Sequence, residues 1–376
     1  MSYRTAIFSG TEGFEVVREH WEVLRPYARH YNQLPEWVEN LAPGAFCWLL
    51  VTDDDRPVAA AALGLRKVGF LAKNVRVLTG VRQRLDGTEG HGLPLGTFAF
   101  ADPAADSRAI AASLLAGYRQ SGAKWDVLWL SMLREGSVWL SADYGSIAPD
   151  LGSPVLDTTM PSPQFWTAAS ANLKHGLAKA RRRLEREHRR SDIVEAKTPE
   201  QVGAAFDAFV SLEAKGWKRD VGAFAKRPER AGFLRRFLVT AAGKGIVTVR
   251  SLLIDDVVTA CQIAVQVQDT LFLMRITYDE ELQHLSPGNI LLADLISISC
   301  DDSTIARIDC GQWAAWHDRW GMTTVPRYRL VAFNGRSATG LAARAAWKGL
   351  GVVGKRPSNL QAGEGPRVSL RRTKGL

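Results

Sequence analysis

The stretch Gln283-His-Leu-Ser-Pro-Gly-Asn289 lies between an apolar strand-like run, Leu271 to Ile276, and an apolar helix-like run, Ile290 to Cys300. A strand that feeds a glycine turn opening a helix leaves backbone N–H groups without intrahelical partners. The helix dipole adds partial positive charge at the same place. Such a turn is a seat for a phosphate or pyrophosphate, which makes Gln283, Ser286, Pro287, Gly288 and Asn289 candidate ligand-binding residues. The same order, strand then turn then helix, predicts an α/β lobe.

Outward from this turn the chain reads as two similar halves. Phe46 to Thr52 and Val58 to Leu65 flank the turn Asp53-Asp-Asp-Arg-Pro57, and Ile246 to Ile254 and Val257 to Val267 flank Asp255-Asp256. Both are predicted hairpins. Helical periodicity precedes each, through Phe14, Val17, Trp21 and Leu24 in one half and Val202, Phe206, Phe209 and Leu212 in the other. A strand follows each (Val75 to Val81; Leu271 to Ile276), then a helix (Ser107 to Gln120; Asn289 to Cys300), then another strand (Trp125 to Met132; Ile305 to Cys310). One order used twice implies a tandem duplication of an α/β domain of α+β type, each copy a mixed sheet flanked by helices. The expected domains are 1–160, 161–335 and a basic tail, 336–376, disordered at least in its last part. Pro149 to Pro163 is rich in Pro, Gly, Ser and Thr and reads as a linker.

Composition narrows the class. The 376 residues suit two domains, and 46% hydrophobic with 23% charged residues is the balance of a water-soluble globular protein. No apolar run is long enough to span a bilayer, and Met1 to Phe14 lacks the pattern of a signal peptide. Cys47, Cys261, Cys300 and Cys310 have no metal-ligand spacing and read as thiols in a reducing, cytoplasmic setting. No metal is expected. The net charge is +9, of which residues 336–376 contribute +8 through nine Lys/Arg against Glu364. That tail either solubilises the chain or holds it weakly to a membrane surface or a synthase. A second basic cluster, Lys174, Lys179, Arg181, Arg182, Arg183, Arg186, Arg189 and Arg190, surrounds the apolar stripe Leu173, Leu177, Ala180, Leu184. It is either a solvated helix face or a rim for an acidic ligand such as the 3′-phosphate of coenzyme A. No aromatic residues interleave with these charges to stack bases, so no specific nucleic acid is expected.

An ordered series of motifs carries a family resemblance. It runs Asn172-Leu-Lys-His-Gly-Leu-Ala-Lys-Ala-Arg-Arg-Arg-Leu184, Leu212-Glu-Ala-Lys-Gly-Trp-Lys218, Phe233, Thr259-Ala260, Tyr278-Asp279, Ser286-Pro-Gly288, Asp309 and Trp320. The series resembles the tandem Gcn5-related N-acetyltransferases (GNAT), of the CelD-like kind associated with cellulose and other exopolysaccharide synthesis, across residues 165–333. In GNAT proteins a Gln/Arg-x-x-Gly-x-Gly/Ala turn holds the pyrophosphate of acetyl-CoA, and Gln283, Ser286 and Gly288 stand at those places. The chain departs from the family at Ser286, which replaces the first Gly, and at His317-Asp318-Arg319, where a Tyr-Lys pair is usual. Gly90 to Thr97 lacks the Gln/Arg spacing, so the resemblance implies one acyl-CoA site, in the second half.

Direct acyl transfer from a thioester needs a pyrophosphate seat, a donor to the oxyanion, a base for the acceptor and an acid for the thiolate. The resemblance assigns the oxyanion donor to the strand backbone at Ile276, Thr277 and Tyr278. Three side chains qualify as base: Asp309, Glu213 and His317. Each has a structural alternative, respectively a turn cap, an ion pair with Lys218, and a packed core histidine. Tyr278 and Tyr328 are candidates for the acid, or else core tyrosines. The tryptophans between Gln312 and Trp320 either stack on a ligand or fill a core.

Three functions fit these residues. The first is an acyl-CoA-dependent acyltransferase, using acetyl-CoA or another acyl-CoA on a small-molecule or saccharide acceptor. The second is a Fem-like aminoacyl transferase; those enzymes carry a long helical arm in the second lobe, for which the segment between Trp217 and Gly245 leaves no room. The third is a non-catalytic GNAT pair recruited to a synthase or membrane.

Overall fold

The computed structural model describes residues 3–41, 47–70, 73–80, 100–120, 124–141, 145–150, 152–216, 224–311, 314 and 316–352. Trp217, Lys218, Trp313, the Gly90 to Thr97 segment and the basic residues beyond 352 lie outside that set.

In the first half, β1 (Tyr3–Ser9), α1 (Gly10–Leu24) and α2 (Pro35–Leu41) lead into β2 (Cys47–Asp53), β3 (Arg56–Phe70) and β4 (Lys73–Gly80). Then follow β5 (Phe100–Ala101), α3 (Ser107–Gln120), β6 (Val127–Leu133) and β7 (Ser146–Pro149). The second half starts with β8 (Ser153–Asp157), α4 (Ser162–Ala168), α5 (Ala171–Arg186), β9 (Ser191–Ala196), α6 (Pro199–Glu213) and α7 (Pro228–Ala242). It continues through β10 (Val247–Ile254), β11 (Val257–Val267), β12 (Thr270–Tyr278), α8 (Pro287–Asp301) and β13 (Arg307–Asp309). It ends with β14 (Thr323–Val325), β15 (Tyr328–Phe333) and α9 (Ala338–Val352).

The duplication is built with the same local chemistry twice. The β2–β3 hairpin turns on Asp54 and Asp55 at φ 46° and 65°, and the β10–β11 hairpin on Asp255 and Asp256 at φ 52° and 63°. Aspartate tolerates the left-handed region, and two successive positive φ values match the twist of a two-residue hairpin. Each sheet then has one parallel pair, β4 with β6 and β12 with β13, among antiparallel neighbours. Helix α6 starts in a capping box between Thr198 and Gln201, with Pro199 at its first position, and buries Val202, Phe206, Phe209 and Leu212.

The expected boundaries need correction. The first sheet runs β1-β2-β3-β4-β6-β15-β7, with β5 on β3, and the second runs β14-β8-β13-β12-β11-β10-β9. The second sheet is drawn from the continuous stretch 153–325, and the chain then returns to the first sheet with β15. β8, expected before residue 160, pairs with β13, and β15, expected in the second domain, pairs with β6. Pro149 to Pro163 is not a free linker, since it supplies β7 to one sheet and β8 to the other. The tail also begins as structure: α9 lays Ala343 and Trp347 on Val75, Val77, Val127, Trp129 and Val331 of the first sheet.

The lobes share one apolar core. Phe14, Trp21, Tyr31, Trp37 and Trp48 join Phe206, Phe233, Phe237 and Phe272 in a single cluster. Trp37 meets Phe233 and Phe237 edge-on at 4.8 and 4.9 Å, and Tyr31 meets Phe272 at 5.5 Å. Edge-to-face packing fixes the mutual orientation of the lobes as well as burying area.

Candidate active site

β12 and β13 pair only at Thr270–Phe272 with Arg307–Asp309. Beyond that point β12 continues to Tyr278, and between Ile263 and Ala264 of β11 the register skips Met274, a β-bulge. A bulge bends its strand and breaks the ladder locally. Bulge and short pairing together open the sheet on the side where α8 begins.

A cavity of about 450 Å³ fills this opening, and Ile276, Thr277, Tyr278, Gln283, Ser286, Pro287, Gly288 and Asn289 all line it. Glu213 lines it too, from the end of α6, with Trp316 and Arg319 opposite. Seven candidate cofactor residues and two of the candidate catalytic residues thus share one space. Ser286 takes the left-handed conformation (φ 52°, ψ 47°) and gives the helix no side-chain cap, while the Asn289 and Ile290 N–H groups donate to its carbonyl oxygen at 3.0 and 3.1 Å. Gly288 lets the turn lie close to β12: a Cβ there would meet Cδ1 of Tyr278 at 3.3 Å, so the ring would have to shift by a few tenths of an ångström. The Tyr278 ring is a wall of the turn.

The first lobe treats the matching helix end differently. Asp106 Oδ1 accepts from Arg108 N–H at 2.9 Å and Ala109 N–H at 3.1 Å, so a carboxylate already occupies the N-terminus of α3. An anion brought there would meet a like charge. The geometry distinguishes two helix ends that the fold makes equivalent.

Glu213 is buried, and its Oε2 accepts from the Phe224 N–H at 2.9 Å. Buried Arg230 and half-buried Arg275 lie close enough to feel its charge; burial lowers both guanidinium pKa values, that of Arg230 to about 9. Neither arginine, nor half-buried Arg134, was singled out from sequence, because their partners are distant along the chain.

Asp309 lies outside this cavity and lines a smaller adjoining one. Its Oδ2 accepts from Arg134 at 2.6 Å and Arg327 at 2.9 Å, while Oδ1 accepts from Ser153 Oγ at 2.5 Å and Gly311 N–H at 2.8 Å. With four donors on a carboxylate that is 3% exposed, no lone pair is presented to an incoming proton. The turn-cap alternative describes Asp309, extended to an ion pair that joins β6, β8, β13 and the approach to β15. Burial, with Arg134 close by, pushes Arg327 down to about 10. Tyr328 is corrected as well: it sits on β15 in the first sheet, opposite Leu133, outside the second-lobe cavity.

His317 occupies a smaller adjoining cavity of about 180 Å³, which shares Ile276 and Trp316 with the first. It is buried against Trp316 at a centroid distance of 3.7 Å, and its Nδ1 lies 2.8 Å from Ala314 N. Burial lowers its pKa below 6.5, so the ring is neutral at neutral pH. The same cavity is lined by His30 and Tyr31 of the first lobe. Burial, and then the charges of Arg134 and Arg327, hold the His30 pKa well below the ordinary value. His30 had no motif around it in the sequence; only the fold brings it here.

Among the described residues no group of side chains could hold a metal ion, and no helix is long and apolar enough to cross a membrane.

With this geometry established, comparison with known proteins is informative. Residues 171–320 match the acetyltransferase (GNAT) domain family model. Curated protein sequences give no match. Among solved structures the chain is similar to FemX at 8% identity, covering 89% of this chain and 98% of that one with a TM-score of 0.57. It is also similar to a C-terminal domain of the DUF2156 type from Agrobacterium fabrum (13% identity, 88% and 96% covered, TM-score 0.53). L-PGS from Bacillus licheniformis gives 12% identity, 90% and 97% coverage and a TM-score of 0.52. At such identities the likeness is one of fold, and it spans both lobes. The architecture is a tandem GNAT pair.

Proposed function

We propose that the chain transfers an acyl group from acyl-CoA to an amine or hydroxyl acceptor, and that the second lobe holds the donor. The observation that carries this reading is the asymmetry of the two helix ends: α8 opens into a strand-splay cavity without a side-chain cap, whereas Asp106 occupies α3. The first turn of α8 takes the pyrophosphate. The stretch of β12 beyond its pairing with β13, Ile276 to Tyr278, runs beside the pantetheine arm and the developing oxyanion. The acceptor attacks the carbonyl carbon, the C–S bond breaks, and the thiolate leaves with a proton. Glu213 is the base we assign, since its carboxylate shares the cavity. His317, neutral and one cavity further in, is the alternative, and Tyr278 is assigned as the acid. An acceptor in the envelope or an exopolysaccharide belongs to the same proposal.

Aminoacyl transfer fits the same fold but finds less support. Between residues 224 and 245 the helix is α7, whose Phe233 and Phe237 are buried in the shared core. It is not a projecting arm. The basic face of α5 is exposed over Lys179, Arg181, Arg182 and Arg186 and serves as a rim for the 3′-phosphate.

Acetyl-CoA at millimolar concentration is expected to raise the melting temperature, and Gly288→Glu to abolish the shift. Absence of any shift in the wild-type protein would refute the reading. Glu213→Gln should then lower kcat about 100-fold or more with acetyl-CoA affinity kept, whereas an effect of that size in His317→Gln alone would move the base to His317.

A further inference from the structure

Helix α5 carries Lys174, Lys179, Arg181, Arg182, Arg183 and Arg186 against one acid, Glu185. With +8 of the net +9 held by residues 336–376, the remainder of the chain is nearly neutral, so apart from α5 it is net negative. The helix is a basic ridge on an acidic body. Its apolar stripe is already used: Leu177 packs in one cluster of the second lobe, Leu184 in another beside Leu252 and Leu291, and Ala180 is buried between them. At 3.6 residues per turn, the side opposite that stripe presents His175, Lys179, Arg182 and Arg186, and all four are exposed. Glu185 and Glu187 fall off this line. Nearby charges are matched, Arg189 with Asp255 and Arg190 with Asp192. Among the described residues no carboxylate pairs with Lys179, Arg181, Arg182 or Arg186.

Like charges three and four residues apart on a helix repel one another, and the fold supplies this line with no counter-charge of its own. One 3′-phosphate engages only part of the array, because His175 to Arg186 spans about 16 Å of helix. A planar anionic surface meets the whole line at once, and about four to eight Lys/Arg gathered on one helix is the pattern that binds acidic headgroups. The outward face has no aromatic side chain between its cations to stack on a base, which disfavours single-stranded nucleic acid. Nor is there an apolar face left to enter a bilayer, since that stripe lies in the protein core. The contact this helix can make is one of charge alone.

We propose that the outward face of α5 docks the protein peripherally on a bilayer with anionic headgroups. The net negative remainder of the body is repelled by the same surface, which orients the molecule. Arg183 donates to the His284 carbonyl and so ties the ridge to the turn Gln283–Asn289. Docking therefore holds that turn beside the membrane surface. The proposal goes beyond the acyl-CoA reading and does not depend on what the turn binds.

The test is co-sedimentation of the full chain with vesicles of phosphatidylcholine alone and of phosphatidylcholine with about 30% phosphatidylglycerol, with saturating coenzyme A present to fill any 3′-phosphate site. The protein should sediment with the acidic vesicles and not with the neutral ones. Salt at about 1 M, where the Debye length is about 3 Å, should release it. The combined substitution Lys179→Gln, Arg182→Gln and Arg186→Gln should weaken partitioning about 100-fold, roughly fivefold per charge, with the urea midpoint unchanged as the check on folding. Removing three charges from the tail instead, by Arg371→Gln, Arg372→Gln and Lys374→Gln, should cost less than about tenfold. A loss as large as that of the α5 substitutions would make net charge or the tail responsible and overturn the assignment. Equal binding to neutral vesicles, retention in about 1 M salt, or no binding to either vesicle would also overturn it. So would preference for a short RNA duplex in direct competition with the acidic vesicles. The acetyl-CoA melting shift of the wild-type protein is a separate readout, so the docking and donor readings fail independently.

Discussion

Ser286 shows how much one residue can settle. It occupies a left-handed conformation at the place where GNAT turns usually carry glycine, and a non-glycine residue there costs about 1 kcal/mol. Ser286→Gly should leave stability unchanged or raise it by up to about 1 kcal/mol, read from urea midpoints; a clear loss would show that the serine side chain stabilises the turn. Asp309 makes the opposite case. Asp309→Ala would leave Arg134 and buried Arg327 facing each other without a counter-charge, and about 3 kcal/mol or more of stability should be lost. The histidines add a pH dependence with a definite sign. Burial depresses the pKa of both His30 and His317 below 6.5 in the folded chain, so the unfolded chain binds protons first. Stability from the neutral rings is complete above about pH 6.5 and falls as pH drops below it. Urea midpoints between pH 5 and 7.5 should show a shallower slope in His317→Asn than in wild type. At this scale the turn was legible because all its residues are adjacent. Asp309 reads in the sequence as a candidate base with a turn cap as the alternative; the cap was legible because Gly311 is two residues away, whereas Arg134 is 175 away.

Among the elements, α9 is the one that composition misled. Its segment belongs to a tail rich in glycine and basic residues, and among the described residues Ala343 and Trp347 contribute the apolar contacts that dock it. The anchor lies at its N-terminal end. Asp126 receives Arg76 and Ser337; burial would raise its pKa, but these hydrogen bonds outweigh burial and hold it at about 2. The ion pair is therefore intact at all but strongly acid pH, its contribution fading only as pH falls below the usual carboxylate value toward 2. Truncation at Arg336 would expose Val75, Val77, Val127, Trp129 and Val331 together. It should lower stability by at least about 3 kcal/mol, seen as a lower urea midpoint. Truncation after Val352 should leave the midpoint where it was. The basic helix α5, by contrast, was read correctly as an amphipathic stripe, because its buried residues Leu177, Ala180 and Leu184 repeat at helical spacing.

For the whole molecule, duplication was readable and the return of β15 to the first sheet was not. Helix, hairpin, strand, helix and strand recur in local order, and hairpins report their own pairing through their turns. The strands that close each sheet carry no such address. β15 is a short apolar run that fits the edge of either sheet, and only the folded lobes decide that it lies between β6 and β7. The second sheet uses the continuous stretch 153–325, while the first needs β15 from beyond it as well as residues 3–149. The aromatic seam of Trp37, Phe233 and Phe237 then buries apolar surface that neither half could cover alone. Cutting at residue 160, as the tandem pattern invites, would remove β15 from the first sheet and β8 from the second. Fragments 1–160 and 161–376 expressed separately should each lack a cooperative urea transition. Mixed together, they should regain one by exchanging the missing strands. The intact chain should unfold in a single step, with tryptophan fluorescence and far-UV circular dichroism superimposable. Two resolved transitions, or a fragment that folds alone, would mean that the seam joins independent domains.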